Sequence, residues 1–452
     1  MSVSPRAAAL FLFLCISARV SAQPAADRIT ALPGWTDPLR SPQYSGFLAG
    51  AAPGSRIHYY YVASEGGSPA DPVVLWLNGG PPCSSLIGAW LEQGPFLMNG
   101  DGTISENPGR WNVHAHMLFL ESPPGVGFSY RAGAPPYAYD DNSTTAESHA
   151  ALRSFFAAFP ALAGRDLWLT GESYAGVYVP MLAAAVLAAP AGIAPLKGIL
   201  VGNGAIATGA WYEGKLVQQR AQHALNHGLV SSALWASLGA ACGANWTLRS
   251  PTCDALLSEL AAGMGPLNNY NIQQTCAAGA AQQAALLAGG AGAALATGVD
   301  PCSVADAALT AWMNSDAVRA ALHVEAAQAV IGDWAECAGG GNVVYTRLPQ
   351  DETATVYPGL LANIAVLIYN GDNDECIPYL QDEEWTARMG FAVKAAWRPW
   401  FVDQQVAGYV TEFDAPVRFA FVTVKQAGHT VPASQPARAL AMMSRFISGQ
   451  PL

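Results

Sequence analysis

Short apolar runs alternate with helix-like stretches in both terminal parts of the chain. Residues 72–77 read Pro-Val-Val-Leu-Trp-Leu, an apolar run typical of a strand that is buried on both faces. Strands alternating with helices predict a largely parallel sheet with right-handed crossovers. The predicted strands lie within 29–65 and at 72–77, 116–120, 166–170, 196–201, 364–369 and 417–424, and the predicted helices at 145–159, 177–189 and 437–447.

The pattern changes between about residues 205 and 350, where Ala/Leu-rich helical stretches replace strands. Residues 277–298 form an Ala/Gly-rich low-complexity segment, and its glycine density favours a flexible surface linker over a helix. We therefore predict a core built from residues 23–204 and 351–452, with a cap inserted at 205–350 that contains the linker 277–298.

The N-terminus has the pattern of a secretory signal peptide. Arg6 precedes an apolar run from Ala7 to Ile16, and Val20-Ser21-Ala22 places small residues before a cleavage site. No later run of 18 apolar residues occurs in the sequence, so no membrane association is expected once residues 1–22 are removed. We predict passage through the secretory pathway to the medium, a vacuole or a lysosome. Asn142 and Asn245 begin glycosylation sequons.

Composition narrows the function classes. Of 452 residues, 51% are apolar and 12% charged, which supports a large core. The net charge of −11 without a basic run disfavours a nucleic-acid partner. Seven cysteines follow the signal peptide, and an oxidising compartment favours disulfides among six of them. The sequence contains no Cys-x-x-Cys pair, and we expect neither a metal site nor a cofactor.

The stretch Gly171-Glu172-Ser173-Tyr174-Ala175-Gly176 follows a predicted strand and precedes a predicted helix. A serine between small residues at such a junction is the nucleophile-elbow pattern. The sharp turn exposes the serine oxygen above the sheet edge. It also points the Tyr174 N–H, at the start of a helix, towards a developing oxyanion.

Other loops after strands carry the partners that such a serine needs. Asn78-Gly79-Gly80 follows the 72–77 strand, and its glycines can present a second oxyanion N–H. Asp372 and Asp374 follow the 364–369 strand, and His429 follows the 417–424 strand. The order Ser, Asp, His is that of the α/β-hydrolase triad. The pattern by itself leaves open whether Asp372 or Asp374 is the acid of the triad.

These motifs together resemble the serine carboxypeptidase family. The resemblance rests on 76–85 (Trp-Leu-Asn-Gly-Gly-Pro-Pro-Cys-Ser-Ser), 171–176 and 428–432 (Gly-His-Thr-Val-Pro), with support from 125–130, 164–166 and 202–204. It implies an α/β-hydrolase fold, with a mostly parallel sheet flanked by helices and a helical cap. It also implies peptide or protein C-termini as substrates and Asp374 as the triad acid.

Further roles are implied by the resemblance alone. It assigns Gly80 and Tyr174 to the oxyanion hole. It assigns binding of the substrate's C-terminal carboxylate to Asn78, Glu92 and Glu172, which favours acidic pH because the two acids must hold protons. Ile87, Leu91 and Thr430 would line the pocket of the leaving residue, and their lack of charge favours apolar leaving residues. One departure is Pro82, which replaces a family glycine beside the oxyanion loop.

The resemblance also implies the disulfides Cys83–Cys337, Cys242–Cys253 and Cys276–Cys302. Cys376 then remains as a free thiol at the edge of the substrate pocket. A buried free cysteine is usually only a small apolar group, but this neighbourhood favours sensitivity to thiol reagents.

We predict a serine carboxypeptidase that releases C-terminal residues through an acyl-enzyme, with a homodimer as one open possibility. Two alternatives remain at this stage. The first is an acyltransferase of the same fold, against which the retained Asn78, Glu92 and Glu172 argue. The second is a catalytically silent partner protein, for which Pro82 is the only support.

Overall fold

The structure is a computed structural model that describes residues 24–206, 210–244, 246–265, 267–274, 302–338, 341–349, 351 and 355–452. The predicted signal peptide, the sequon residue Asn245, Cys276 and the linker 277–298 lie outside these residues. No helix within the described ranges is long and apolar enough to cross a membrane.

An 11-stranded sheet organises the described chain, in the order β1-β2-β3-β7-β4-β9-β10-β12-β15-β14-β13. Its middle, from β7 to β15, is parallel, and antiparallel strands extend both edges. The strands are β1 (Arg28–Ile29), β2 (Gln43–Ala49), β3 (Arg56–Val62), β4 (Val73–Leu77), β5 (Phe96–Met98), β6 (Ile104–Glu106), β7 (His116–Leu120), β8 (Tyr137–Asp140), β9 (Leu167–Glu172), β10 (Leu196–Gly202), β11 (Val343–Thr346), β12 (Ala365–Gly371), β13 (Val393–Val402), β14 (Gln405–Phe413) and β15 (Phe419–Val424).

Helices cover both faces of this sheet. One hydrophobic core packs α1, α2, α9 and α10 against the sheet, and a second packs α6, α7 and α12 against the opposite face. The helices are α1 (Asp141–Ala158), α2 (Ala175–Ala188), α3 (Ala210–Asn226), α4 (Ser232–Cys242), α5 (Pro251–Met264), α6 (Val304–Met313), α7 (Asp316–Ala321), α8 (Glu325–Ile331), α9 (Tyr357–Leu361), α10 (Tyr379–Arg388), α11 (Val431–Ser434) and α12 (Pro436–Ile447), with a π-helical turn at Gly88–Glu92.

The predicted fold class, a mostly parallel sheet flanked by helices, is confirmed. The helix predicted at 145–159 begins earlier, at Asp141, because Asp140 accepts a hydrogen bond from the Ser143 N–H and caps the first turn. The hairpin β13–β14 was not predicted. Strand β13 is largely exposed and β14 is only partly buried, so neither has the continuous apolar pattern that marks a strand buried on both faces.

Helices α3 to α8 lie in the chain between β10 and β12, within the stretch predicted as a cap. Helices α3, α4 and α5 contribute to a separate small core around Leu238 and Trp246, which the Cys242–Cys253 disulfide joins. Strand β11 also belongs to this stretch, and it pairs in parallel with β8.

The parallel register brings the strand ends to one edge of the sheet. Gly171 of β9 pairs with Leu77 of β4 and with Val201 of β10, and Gly371 of β12 pairs with Val424 of β15. The loops that leave these strands therefore start side by side.

Gly371→Ala tests how tightly two of these loops pack. A β-carbon at Gly371 would lie 2.1 Å from the Gly428 carbonyl oxygen and 2.5 Å from that of Ala427. We expect a loss of about 1–3 kcal/mol in the free energy of unfolding, because backbone must move to admit the methyl group. Urea denaturation of the parent protein and the variant measures this difference in the free energy of unfolding. The matched control is Gly359→Ala in α9, where a β-carbon meets nothing within 4 Å; equal stability of the two variants would contradict this packing.

Candidate active site

Side chains from loops at the carboxyl ends of neighbouring parallel strands surround one cavity. Asn78 follows β4 and Ser173 follows β9, while His429 follows β15. All three line a cavity with a volume of about 390 Å³. The sheet thus assembles residues that are far apart in the sequence.

Ser173 occupies a sterically crowded turn. Its φ is 60°, in the left-handed region, and α2 begins two residues later. A β-carbon at Gly79 would lie 2.4 Å from the Tyr174 nitrogen, one at Gly171 would lie 2.4 Å from the Leu77 oxygen, and one at Gly176 would lie 2.2 Å from the Ala205 oxygen. Only glycine fits at these three positions, which explains the small residues around the serine.

His429 pairs with Asp374. The His429 Nδ1 and Asp374 Oδ2 are 2.7 Å apart, and both side chains are buried. Asp374 also accepts hydrogen bonds from the Asn203 amide at 2.8 Å and from the Cys376 N–H at 2.8 Å. The Tyr270 carbonyl accepts the His429 N–H at 2.7 Å, and the Tyr270 ring meets the imidazole edge-on at 4.5 Å between centroids. The imidazole is therefore held on several sides.

Asp372 has a different environment. Its Oδ1 accepts the Gln426 N–H at 2.6 Å, and its carbonyl lies 3.0 Å from the His223 Nε2. It therefore holds the turn before His429, whereas Asp374 contacts the imidazole itself.

The outer nitrogen of the His429 imidazole makes no hydrogen bond within the part of the chain that the structure describes. His429 Nε2 is buried and has no hydrogen-bond partner among the described residues. Ser173 and His429 line the same cavity, so this nitrogen is open to a proton from a group bound there.

Two backbone N–H groups also remain unused within the described chain. Neither the Gly80 nor the Tyr174 N–H donates a hydrogen bond to another backbone group. Gly80 lines the cavity with a φ of 110°, and Tyr174 is the N-cap residue of α2. Pro82 leaves the Gly80 N–H in place, since Gly80 precedes it by two residues.

Covalent and polar contacts hold the loop after Gly80. The Cys83–Cys337 disulfide ties it to the end of the helical insertion, and the Ser84 N–H donates to the Glu336 carbonyl at 2.6 Å. The Ser84 hydroxyl donates to buried Glu121, which also accepts from the Trp334 indole at 2.8 Å.

Asn78, Glu92 and Glu172 form a buried cluster. The Asn78 Nδ2 donates to Glu92 Oε1 at 3.2 Å and to Glu172 Oε1 at 3.0 Å. Its Oδ1 accepts from the Trp76 indole at 2.9 Å and the Gly88 N–H at 3.0 Å, so the amide nitrogen must face the acids. The second oxygen of each acid is buried without a hydrogen-bond partner among the described residues.

Both acids favour their protonated forms. Burial raises the pKa of Glu92 to about 7, against the opposing effect of the Asn78 hydrogen bond. Burial, and then the adjacent Glu92, raise the pKa of Glu172 well above its ordinary value. A protonated carboxyl can donate a hydrogen bond from the oxygen that lacks one now.

The remaining wall of the cavity includes the three residues predicted for the leaving-residue pocket, Ile87, Leu91 and Thr430. Asp306 and Glu336 line it too, and sequence reasoning missed both. A signal for Glu336 existed in its position next to Cys337. Asn203 was matched only as part of a Gly-Asn-Gly motif, and its contact with Asp374 required the tertiary structure.

Cys376 is free, as predicted, but its expected reactivity is not supported. The thiol is fully buried and does not line the cavity. Burial, and then the charge of Asp374, raise the pKa of Cys376 to about 12, which disfavours the reactive thiolate. Its sulfur, an Asp374 oxygen and a His429 ring nitrogen could in principle share a metal ion, but the 2.7 Å His–Asp hydrogen bond already explains their proximity.

The disulfides Cys83–Cys337 and Cys242–Cys253 are formed. Cys276–Cys302 stays a prediction, because Cys276 lies outside the described residues. Asn142 is exposed on the first turn of α1.

Comparison with known proteins agrees with this geometry. A family model described as serine carboxypeptidase matches residues 33–449. The chain is 36% identical to the lysosomal protective protein of Mus musculus, covering 98% of both chains. It is 32% identical to serine carboxypeptidase 1 of Hordeum vulgare, covering 95% of this chain and 94% of that one. A prohormone-processing carboxypeptidase from Saccharomyces cerevisiae shares the fold, with a TM-score of 0.70 at 22% identity over 95% of each chain. This chain therefore belongs to the serine carboxypeptidase family.

Proposed function

We propose that this protein removes single residues from the C-termini of peptides through an acyl-enzyme on Ser173. The observation that carries the proposal is the Asn78–Glu92–Glu172 cluster in the same cavity as Ser173 and His429. A nucleophile beside a carboxylate-binding group cleaves the last peptide bond, because the chain end fixes the position of that bond.

The chemical steps follow from the proposed roles. His429 Nε2 takes the Ser173 proton as the Ser173 Oγ attacks the carbonyl carbon, and Asp374 stabilises the imidazolium that forms. The Gly80 and Tyr174 N–H groups hold the oxyanion. When the intermediate collapses, His429 gives its proton to the departing amine. Water then attacks the acyl-enzyme by the same route and frees Ser173.

Recognition of the chain end depends on protons. Asn78 donates hydrogen bonds through its fixed amide, and Glu92 and Glu172 donate when they are protonated. The substrate carboxylate would enter a site where two ionised acids would repel it. Productive binding therefore belongs to the protonated pair, which favours acidic pH.

We also propose the predicted core and cap division and a secretory route for the mature chain. The two disulfides support the route, because such bonds persist in oxidising compartments. The homodimer stays a prediction.

The test of the proposed function is amino-acid release from a blocked dipeptide. Ser173→Ala should reduce kcat by about 10⁴-fold or more, because nucleophile and base act as one unit. Asp374→Asn should be of similar severity, since the wrong imidazole tautomer results. The matched control is Asp372→Asn, which loses one carboxylate in the same turn and should be milder. Release of an internal fragment, or the reverse ranking of the aspartates, would overturn the assignment.

The raised pKa values predict how binding changes with pH. Glu92 and Glu172 bind the substrate carboxylate while protonated, so KM should rise as pH increases through about 7, the pKa of Glu92. Glu172→Gln supplies an N–H donor that needs no proton, so the rise in KM should shrink. Steady-state kinetics on a blocked dipeptide between pH 5 and 8 measure this. An unchanged pH profile of KM in the variant would count against carboxylate binding by this pair.

Asn203 is expected to position Asp374. Asn203→Gly keeps the left-handed backbone, for which φ is 43°, and removes one donor to the Asp374 carboxylate. We expect kcat to fall by roughly tenfold with KM little changed, because the Asn78 cluster is untouched. Asn203→Asp places a like charge beside Asp374, so the acidic limb of the kcat/KM profile should also move to higher pH. Equal losses in kcat and in substrate affinity would indicate a purely structural role.

A further inference from the structure

Glu121 is a buried acid to which neither bond cleavage nor carboxylate binding assigns a role. It directly follows β7, and its side chain is fully buried. It does not line the cavity that holds Ser173, so any effect on catalysis must pass through other residues. A buried carboxyl costs free energy unless hydrogen-bond donors surround it. The groups around Glu121 therefore indicate what this side chain does.

Both oxygens of the Glu121 carboxyl have partners within the described chain. Oε1 accepts the Ser84 hydroxyl and, at 2.8 Å, the Trp334 indole N–H. Oε2 accepts the Phe128 N–H at 2.8 Å and lies 2.8 Å from the His58 Nδ1. These partners belong to the loop after Gly80, the helical insertion, the 125–130 motif and β3. One carboxyl thus joins segments that are far apart in the sequence.

The 125–130 motif is shaped around this carboxyl. A β-carbon at Gly127 would overlap the Glu121 carboxyl group, and the φ of Gly127 is 53°. Glycine at this position lets the loop close on the acid and direct the Phe128 N–H towards it. The Phe128 ring also meets the His58 imidazole edge-on, at 5.4 Å between centroids. The motif does not line the cavity, so its contribution to the site is indirect.

His58 extends these contacts to a second part of the insertion. Its Nε2 lies 2.8 Å from the Ser45 hydroxyl oxygen, and that hydroxyl donates its single proton to the Leu322 carbonyl at 2.7 Å. Because a carbonyl can only accept, the His58 Nε2 must donate to Ser45. A further proton lies in the bond between Nδ1 and Glu121, since a carboxylate oxygen and a bare ring nitrogen would both only accept. The direction of each hydrogen bond along this chain of contacts is therefore fixed at its outer end.

Ser84 is the residue through which these contacts reach the oxyanion loop. Its hydroxyl donates to Glu121. One residue earlier, the Cys83 N–H donates to the Gly79 carbonyl at 2.9 Å and closes a tight turn that contains Gly80. In a closely packed turn, a displacement of one end is transmitted to the other. Displacement of Ser84 therefore moves the Gly80 N–H.

We propose that Glu121 and His58 are positioning residues for the oxyanion hole, which hold Ser84, and through it the Gly80 N–H, in a fixed place relative to Ser173. The inference rests on the proposed acyl-enzyme function and adds residues that support it from outside the cavity. A buried polar network rigidifies its surroundings only while every member has its partner. Removal of one partner should therefore loosen the oxyanion loop.

The first test replaces Glu121 by glutamine, which keeps the shape of the side chain. Each carboxyl oxygen accepts an N–H, from Trp334 on one side and from Phe128 on the other. In either orientation of the new amide, its NH2 group consequently faces another donor. We expect kcat for a blocked dipeptide to fall by about 10- to 100-fold, up to the loss that removal of one oxyanion donor causes.

Two further measurements distinguish positioning of the oxyanion loop from general damage. KM should change little in Glu121→Gln, because Asn78 is held by its own contacts with Trp76 and Gly88. The rate at which a fluorophosphonate labels Ser173 should fall together with kcat. That reaction also develops negative charge in the oxyanion hole, but it does not need a chain-end carboxylate.

A double-mutant cycle tests whether the effect passes through Ser84. Ser84→Ala removes the hydroxyl that joins the loop to Glu121 and should lower kcat by itself. The double variant should be no slower than Glu121→Gln alone, because both changes break the same connection. Losses that multiply would overturn the proposed route. If Glu121→Gln folds poorly, His58→Gln replaces it, since it can keep a donor for Ser45 while losing the contact with Glu121.

The matched control is Glu147→Gln. Glu147 is also buried and lies outside the cavity, and its carboxyl accepts hydrogen bonds from the N–H groups of Ala51 and Ala52 and the hydroxyls of Ser55 and Tyr139. Its loss should lower the resistance to urea but leave kcat, KM and the labelling rate at parent values. A fall in kcat as large as that of Glu121→Gln would show that loss of any buried carboxylate suffices, and it would contradict the proposal.

The outcomes separate this inference from the proposed function. If the parent protein releases no residue from a blocked dipeptide, the carboxypeptidase function itself fails. If the parent is active and Glu121→Gln keeps the parent kcat and labelling rate, or if KM rises as much as kcat falls, the positioning role is wrong while the function stands.

Discussion

The turn at Ser173 is the constraint on which the rest of the site depends. Its backbone is left-handed, and glycines allow it to pack closely against the segments that follow β4 and β10. Gly79 approaches the Tyr174 nitrogen, Gly171 the Leu77 oxygen and Gly176 the Ala205 oxygen. This close approach puts the serine, the loop of Gly80 and the start of α2 into one rigid group. A larger residue at any of these glycines would move the nucleophile relative to both N–H donors. The close packing at these glycines therefore determines both the stability of the sheet edge and the geometry of the site.

Around this group, the acids differ in the number of hydrogen-bond donors that surround them. Asp374 stays beside His429 because it receives hydrogen bonds from Asn203 and Cys376 as well. Glu92 and Glu172 share only one amide donor, from Asn78, so burial drives them towards the protonated form. Asp374 is thus held by three contacts, whereas the two acids of the Asn78 cluster share one amide donor among the described residues.

Residues of the inserted helical segment form part of the cavity wall at the sheet edge. The Cys83–Cys337 disulfide and the packing of α6 on the turn that carries Glu92 are two of the connections that join these helices to the core. Asp306 and Glu336 lie beside these connections and line the cavity. The core places Ser173 and His429 in the cavity, and the insertion adds Asp306 and Glu336 to the same wall.

The sequence alone determined the fold class and named the residues that meet at the site. Apolar runs and Gly-x-Ser-x-Ala are local patterns that can be read from the sequence. Motifs that match a family also imply which residues lie close together, because the family shares one fold. What it could not decide depends on contacts between distant segments. Strand β13 is mostly exposed and β14 is only partly buried, so the hairpin has no continuous apolar run that marks it in the sequence. The burial of Cys376 opposes the reactivity expected from its position in the sequence. Strand register places Asn203, helix packing places Asp306, and a disulfide that joins residues 254 positions apart places Glu336. Only the tertiary structure decides which side chains such long-range contacts bring to the site.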